Sequence, residues 1–296
     1  MNISGSTSLY GIIGWPVAHS LSPMFQRDFI EQQQLDAAYL PFPVAPDAVP
    51  QALDGLWALG IQGFNVTVPH KETVMPLVHA DDAALRIGAV NTVRRGSDGW
   101  QATNSDWLGF KAVVEGAQRP IAGRDVLLFG AGGTARAVLH ALHTLKPARV
   151  YICNRNPDRL ARLLDDVARH YPALHCAALD WSQTQVNEIA AQTALRINTT
   201  AIGLKDDAPF PFTLPVPTGD ALAIDAVYRP DGDTPFTRAN GGCSMVTDGL
   251  PMLIAQGAAS FSWWHDCPLP DCRSALARIE QQLKRPTINL PGWEQP

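Results

Sequence analysis

Charge is scarce in this chain. Asp, Glu, Lys and Arg make up 17% of the 296 residues, against about 25% in an average soluble protein, so Ser, Thr, Gln, Pro and Ala must cover part of the surface. Basic residues do not dominate either. The formal net charge is -5, which argues against a nucleic-acid binder with a basic face but leaves room for anionic ligands, since those need only a local positive patch. No run approaches the ~20 apolar residues of a membrane span. The start, MNISGSTSLYGIIGWP, has no basic stretch followed by a long apolar one, so no secretory signal is expected. Cysteine is sparse and odd in number: Cys153, Cys176, Cys243, Cys267 and Cys272 are scattered, as in a reduced, cytoplasmic protein. His265, Cys267 and Cys272 stand close together, but Pro268 and Pro270 interrupt them and no second half-site follows, so no metal is expected. Internal repeats and low-complexity tracts are absent.

What is there is an alternation of strand and helix signals. LYGII (9–13) reads as a short strand, and Ser22-Pro23 opens a helix to about Gln34, with proline in the first turn. AYLPFPV (38–44) is an edge or irregular strand because it carries prolines. VPQALDGLWALG has apolar residues at helical spacing and ends on Gly60, and GFNVTV (63–68) is a third strand. A second series begins after Gly123: RDVLLF (124–129), a helix, ARVYIC (148–153), a helix over 156–171, then LRINTT and ALAIDAVY. The last elements, PMLIAQGAASFSWW and DCRSALARIEQQL, read as helices, and the tail PTINLPGWEQP as irregular. Strands alternating with helices predict an α/β protein with mostly parallel sheets. The length suits two domains or one large one.

Between the first strand and helix of the second series lies Gly130-Ala131-Gly132-Gly133-Thr134-Ala135, a G-x-G-x-x-A turn. Alone the motif is weak; directly after an apolar strand and at a helix start it predicts dinucleotide binding. Gly130 allows the tight turn, Gly132 lets the backbone approach a pyrophosphate, and Ala135 keeps helix and strand close. The helix start offers free N–H groups to phosphate. NAD enzymes usually carry an acid at the end of the next strand, on the ribose 2′-hydroxyl. Here that strand runs into Asn154-Arg155-Asn156, with Arg159 one turn later. The two arginines could be ordinary surface residues, but their place suits a 2′-phosphate, so NADP is expected.

In the first series, His19-Ser20-Leu21-Ser22-Pro23 sets two hydroxyls at a strand-to-helix turn, where at least one serine would by default be a helix cap. Asn65-Val66-Thr67-Val68-Pro69-His70-Lys71 closes a strand, at the end where α/β sheets bind ligands. The chain has only five lysines, so one placed there is unlike a random surface charge. Asn91 sits in GAVNT and Asp106 in TNSDWLGF.

Taken together, GWPVAHSLSP, NVTVPHK, GAVNT, TNSDWLGF, GAGGTARA, NRN, INTTAIG, DAVYRPDGDTPF and DGLPMLIAQGA resemble the shikimate dehydrogenase family, in order from residue 11 to about 270. The resemblance implies an N-terminal α/β substrate domain and a Rossmann-type NADP domain, with a deep cleft between them. The substrate domain would span 1–110, completed by C-terminal helices over about 250–296, and the NADP domain 111–249. It implies reversible, NADP-dependent reduction of 3-dehydroshikimate to shikimate, on the way to aromatic amino acids. Lys71 and Asp106 would be the catalytic pair: an ammonium within reach of the ketone can stabilise the developing alkoxide and supply its proton, and a neighbouring carboxylate orients it. Substrate contacts would fall to Ser20, Ser22, Thr67, Asn91, Asp106, Tyr228 and Gln256. Cofactor contacts would fall to Gly130, Ala131, Gly132, Gly133, Thr134, Asn154, Arg155, Asn156, Arg159 and Gly249.

The chain departs from the family's common pattern in places: Ser105 replaces a threonine before Asp106, NRN replaces NRT, and Trp15 and Arg229 stand where small or polar residues are more frequent. The alternatives are therefore a quinate/shikimate or aminoshikimate dehydrogenase, and a non-catalytic NADP-binding regulator, against which the intact Lys71 and Asp106 argue. The expected partner is a small-molecule substrate, with no nucleic acid and no membrane, and the protein is expected to be a monomer or homodimer.

Overall fold

The computed structural model describes residues 3–293; residues 1 and 2, and the last three of the tail expected to be irregular, lie outside the described residues. The chain divides into two compact units. One runs to Asp106 and regains Ile254–Ile279; the other holds Trp107–Leu253 and the chain from Glu280 onward.

The first unit contains β1 (Ser8–Gly14), α1 (Ser22–Gln32), β2 (Ala37–Pro43), α2 (Val49–Ala58), β3 (Gly63–Val66), α3 (Lys71–Val74), β4 (His79–Ala80), α4 (Asp82–Ile87), β5 (Thr92–Arg95) and β6 (Trp100–Thr103), and α5 (Asp106–Gly116) begins at its boundary. The six strands order as β2-β1-β3-β5-β6-β4. The prolines of β2 are tolerated because it is an edge strand. β1 runs parallel to β2 and β3, but β5 runs antiparallel to both β3 and β6. The sheet is mostly parallel, as expected, with β5 alone reversed. The cause is local: Gly96-Ser97-Asp98-Gly99 closes a hairpin, with the Gly96 N–H donating to the Gly99 carbonyl at 2.9 Å, and so short a link can only reverse the chain.

The second unit contains β7 (Asp125–Phe129), α6 (Gly133–Leu145), β8 (Arg149–Cys153), α7 (Pro157–His170), β9 (Cys176–Leu179), α8 (Gln183–Ala190), β10 (Leu195–Asn198), β11 (Leu222–Asp225), α9 (Pro235–Ala239) and β12 (Met245–Thr247). All six strands are parallel, in the order β12-β11-β10-β7-β8-β9. Counted from β7, this is the 3-2-1-4-5-6 arrangement of dinucleotide-binding sheets, with its switch point between β7 and β10. Val126 to Phe129 are wholly buried, as expected of a parallel strand covered on both faces. Helix α7 buries Leu160, Leu163 and Val167, one face of its 3.6-residue repeat.

Helices α10 (Leu250–His265) and α11 (Cys272–Leu283) carry residues of both units. The segment that rejoins the first unit is Ile254–Ile279, shorter than the 250–296 span expected. Met252 and Leu290 lie in the second unit's core, and the Trp293 indole donates to the Ala112 carbonyl at 3.3 Å, which holds the C-terminal stretch there. Among the described residues no helix is long and apolar enough to cross a membrane, and no group of three or more His, Cys, Asp or Glu could hold a metal ion.

One buried ion pair ties that stretch to the second sheet. Arg285 grips Asp248 with two bonds, Nη1 to Oδ2 at 2.9 Å and Nη2 to Oδ1 at 3.0 Å, and the side chains are 3% and 0% exposed. Removing one partner strands a charge out of reach of water. Arg285→Ala is expected to lower unfolding free energy by about 3–5 kcal/mol in a urea titration followed by circular dichroism; a loss under about 1 kcal/mol would contradict this account of the pair.

Candidate active site

The reversal of β5 decides what meets in the first unit. Asn65 of β3 lies opposite Thr92 of β5, which lies opposite Thr103 of β6. The end of β3, the start of β5 and the end of β6 therefore share one edge of the sheet. Lys71 opens the short helix after β3 and Asp106 opens α5. Their side chains meet at 2.5 Å, Nζ to Oδ2, and are 27% and 12% exposed: sheltered, yet open to solvent. Asn91 donates from Nδ2 to the other oxygen, Oδ1 of Asp106, at 2.8 Å, and the same amide group lies 3.1 Å from Oε1 of Gln256. Four of the expected residues, separated by up to 185 positions in the chain, thus form one cluster.

Backbone bonds hold the cluster's frame. The Val90 N–H donates to the Lys71 carbonyl at 3.0 Å, the buried His70 ring bonds the Val44 carbonyl at 2.7 Å, and Asn104 accepts from the Asp106 N–H at 3.0 Å. Thr67 follows β3, half-buried, with its methyl against Gly14, where a Cβ would come within 2.5 Å of it. Of the two serines, Ser20 makes the local turn bond, accepting from the Ser22 N–H at 3.2 Å, while the cap position itself is Leu21. Ser22 is buried and hydrogen-bonds Tyr39. Sequence reasoning missed Tyr39, Asn65, Thr92 and Ser260, which join this cluster through buried side-chain bonds. A surface hollow of about 690 Å³ lies at the start of β6, lined by Trp57, His79, Asp98 and Trp100 among others. It includes none of the expected site residues.

In the second unit the glycine turn follows β7 directly. Gly130 has φ +115°, and a Cβ there would come within 2.4 Å of Thr199 Oγ1 at the end of β10. Gly132 and Gly133 are different: a Cβ on either would meet nothing within 4 Å. Gly132 caps α6 without any side-chain bond to the first-turn N–H groups. Open space beside a row of helix-start N–H groups is what a phosphate requires, so the turn fits a dinucleotide. Ala131 and Thr134 flank it, half-buried. At the end of β8, Asn156 is committed to helix α7, accepting from the Arg159 N–H at 2.9 Å, and Asn154 donates to the Asn156 carbonyl at 2.7 Å. The asparagines shape the loop, and Arg155 and Arg159 project from it, both exposed and with no ion pair among the described residues.

Tyr228 follows β11, where burial, with help from the Asp248 charge, raises its hydroxyl above the usual range and keeps it neutral. Gly249 follows β12, and a Cβ would meet the Ala226 carbonyl at 2.4 Å, so two strand ends close together only through this glycine. Beneath them Asp225 accepts from Thr234 Oγ1 at 2.6 Å, Asn198 Nδ2 at 2.8 Å and the Val227 N–H at 3.0 Å. Burial outweighs these donors and pushes its carboxyl from 3.8 to about 6. Arg229 pairs with Asp207 at 2.6 Å and donates to the Gly203 carbonyl at 2.8 Å, which explains its presence as a loop staple.

Residues 12–93 match the family described as the shikimate dehydrogenase substrate binding domain. A curated relative, the NADP(+) shikimate dehydrogenase of Anaeromyxobacter dehalogenans, is 39% identical over 282 residues, covering 93% of this chain and 97% of the relative. The chain belongs to the shikimate dehydrogenase family. Among solved structures of this family, the Thermus thermophilus shikimate 5-dehydrogenase in complex with NADP(H) and shikimate is similar with a TM-score of 0.79 at 32% identity, covering 93% of this chain and 99% of that one. The ligand-free 5-ketofructose reductase of a Gluconobacter strain is as similar in fold, TM-score 0.82, at 27% identity, covering 95% and 99%. Fold alone therefore does not select the substrate.

Asp225 gives the second unit a pH signature. Its carboxyl takes up a proton more readily folded than unfolded, so its contribution to stability is fully present below about pH 4 and is lost as pH rises through about 6. Asp225→Asn keeps the shape of the hydrogen-bonded group and removes the titration. The stability difference between wild type and variant is expected to shift in the variant's favour by roughly 3 kcal/mol between pH 4 and pH 7. Parallel urea titrations at those pH values measure it, and a constant difference would refute the assignment.

Proposed function

We propose that this chain is an NADP-dependent shikimate dehydrogenase, interconverting 3-dehydroshikimate and shikimate, with Lys71 and Asp106 as the proton-transfer pair. The observation that carries this reading is the 2.5 Å contact between Lys71 Nζ and Asp106 Oδ2, with the carboxylate's second oxygen held by Asn91. NADPH, when bound, supplies the hydride for the ketone carbon. Lys71 stabilises the negative charge growing on the ketone oxygen and gives it a proton; in the oxidation direction it receives the hydroxyl proton instead. Asp106 fixes the ammonium in one position, and Asn91 fixes Asp106. Ser20 and Ser22 serve the substrate carboxylate, and Thr67, Asn91, Gln256 and Tyr228 its hydroxyls and ring.

Gly130 to Thr134 hold the pyrophosphate against the start of α6, and Gly249 serves the nicotinamide. Arg155 and Arg159 take the 2′-phosphate, with Asn154 and Asn156 shaping the loop that carries them. Two exposed guanidiniums without an ion pair among the described residues leave their donors available to that group. The five cysteines are all free, which suits a cytoplasmic enzyme.

Absorbance of NADPH tests the reading. With NADP the wild-type chain is expected to oxidise shikimate, and quinate far more slowly; Lys71→Ala lowers shikimate turnover by about 10²–10⁴-fold with a smaller change in KM. Full turnover by that variant means the acid lies elsewhere. Arg155→Ala is expected to raise the KM for NADP about tenfold or more and leave that for NAD nearly unchanged. Equal effects on the two cofactors would remove the 2′-phosphate role.

A further inference from the structure

Behind Asp106 the first unit buries a series of polar side chains joined by hydrogen bonds. The Asn91 amide is oriented by its neighbours: Oδ1 accepts the Ser105 N–H at 2.6 Å, so Nδ2 is the group facing the Asp106 carboxylate. Oδ1 also accepts from the Thr92 hydroxyl at 2.9 Å. The Ser260 hydroxyl lies 2.7 Å from Thr92 Oγ1 and 3.0 Å from the Gln256 carbonyl, which can only accept, so Ser260 joins Thr92 to the backbone of the C-terminal helix. Ser260 in turn accepts from Asn65 Nδ2 at 3.0 Å, since Asn65 must turn its NH2 towards the Asn91 carbonyl at 3.1 Å. Asn65 Oδ1 then accepts the Tyr39 hydroxyl proton at 2.7 Å. Burial raises the Tyr39 hydroxyl well above its usual range, so it stays a donor. Buried side-chain hydrogen bonds thus run without a break from Tyr39 through Asn65, Ser260, Thr92 and Asn91 to Asp106.

We propose that Thr92 and Ser260 are positioning residues for the reaction: their hydroxyls, wholly buried, fix the orientation of the Asn91 amide and through it the carboxylate that holds Lys71. The inference rests on Lys71 and Asp106 being the proton-transfer pair. Neither hydroxyl touches Asp106 or Lys71; Thr92 acts through Asn91, and Ser260 through Thr92. Without the Thr92 donor, Asn91 Oδ1 keeps only its bonds to Ser105, and the amide is freer to rotate its NH2 away from Asp106. An ammonium held by a wandering carboxylate spends less time aimed at the reacting oxygen, which costs turnover rather than binding.

The test compares two substitutions at one buried position. Thr92→Val keeps the branched shape and loses the hydroxyl; Thr92→Ser keeps the hydroxyl and loses a buried methyl. Thr92→Val is expected to lower kcat for shikimate oxidation about tenfold, with KM for shikimate and for NADP within about threefold of wild type. Thr92→Ser is expected to stay within about threefold in kcat despite its lost methyl. Ser260→Ala should follow Thr92→Val, and the unchanged KM for NADP shows that a variant is folded. Wild-type turnover in Thr92→Val, or an equal loss in Thr92→Ser, overturns the proposal. Lys71→Met separates it from the reading beneath: if that variant is inactive while Thr92→Val is normal, only the positioning role fails, and if it turns over normally the pair fails and the positioning role with it.

Discussion

Because β5 runs against both of its neighbours, Asn91 at its head faces the end of β3 on one side and the end of β6 on the other, and the amine of Lys71 meets the carboxylate of Asp106 at 2.5 Å. In an all-parallel arrangement the start of that strand would lie at the opposite edge from the other two ends. Between β5 and β6 the reversal is set by four residues of hairpin, Gly96 to Gly99. That turn brings the end of β6, and with it Asp106, back beside Asn91.

The second unit is built on the opposite plan, with every strand parallel and every functional turn at a strand's carboxyl end. Its difficulty is crowding. The ends of β11 and β12 approach until only a glycine fits at 249, and two buried acids, Asp225 and Asp248, lie below. One is satisfied by neutral donors and one by Arg285. Neutral donors leave Asp225 protonatable near pH 6, while burial raises the Asp248 carboxyl even against its guanidinium. The sheet end is held by polar bonds whose strength depends on proton concentration.

Much of this was legible in the sequence where the signal is local. The glycine turn, the strands on either side of it and the amphipathic helix at 157–170 are readable because each is decided by residues close in the chain. Lys71, Asn91, Asp106 and Gln256 stand in short motifs, so they could be named, though nothing in the residues alone said they would touch. Asn65 and Thr92 stand in the same motifs without being singled out, and Ser260 could not be found this way. Ser260 is 168 positions from Thr92, its neighbours in the chain are ordinary helix formers, and a buried hydroxyl has meaning only through partners brought up by the fold. Asn156 shows the converse. Its place suggests a cofactor contact, and its side-chain oxygen also accepts a helix-start N–H, a bond decided entirely by residues close in the chain.

The glycines of the dinucleotide turn answer to two different selective forces. A side chain at 130 would strike Thr199 of the neighbouring strand whether or not any nucleotide were present, whereas side chains at 132 and 133 would point into empty space. In a descendant that had abandoned its cofactor, the first glycine would be preserved by the packing of β7 on β10, and the next two would be released to drift. Across such lineages, the survival of the second and third glycines, rather than the first, is the record of continued use.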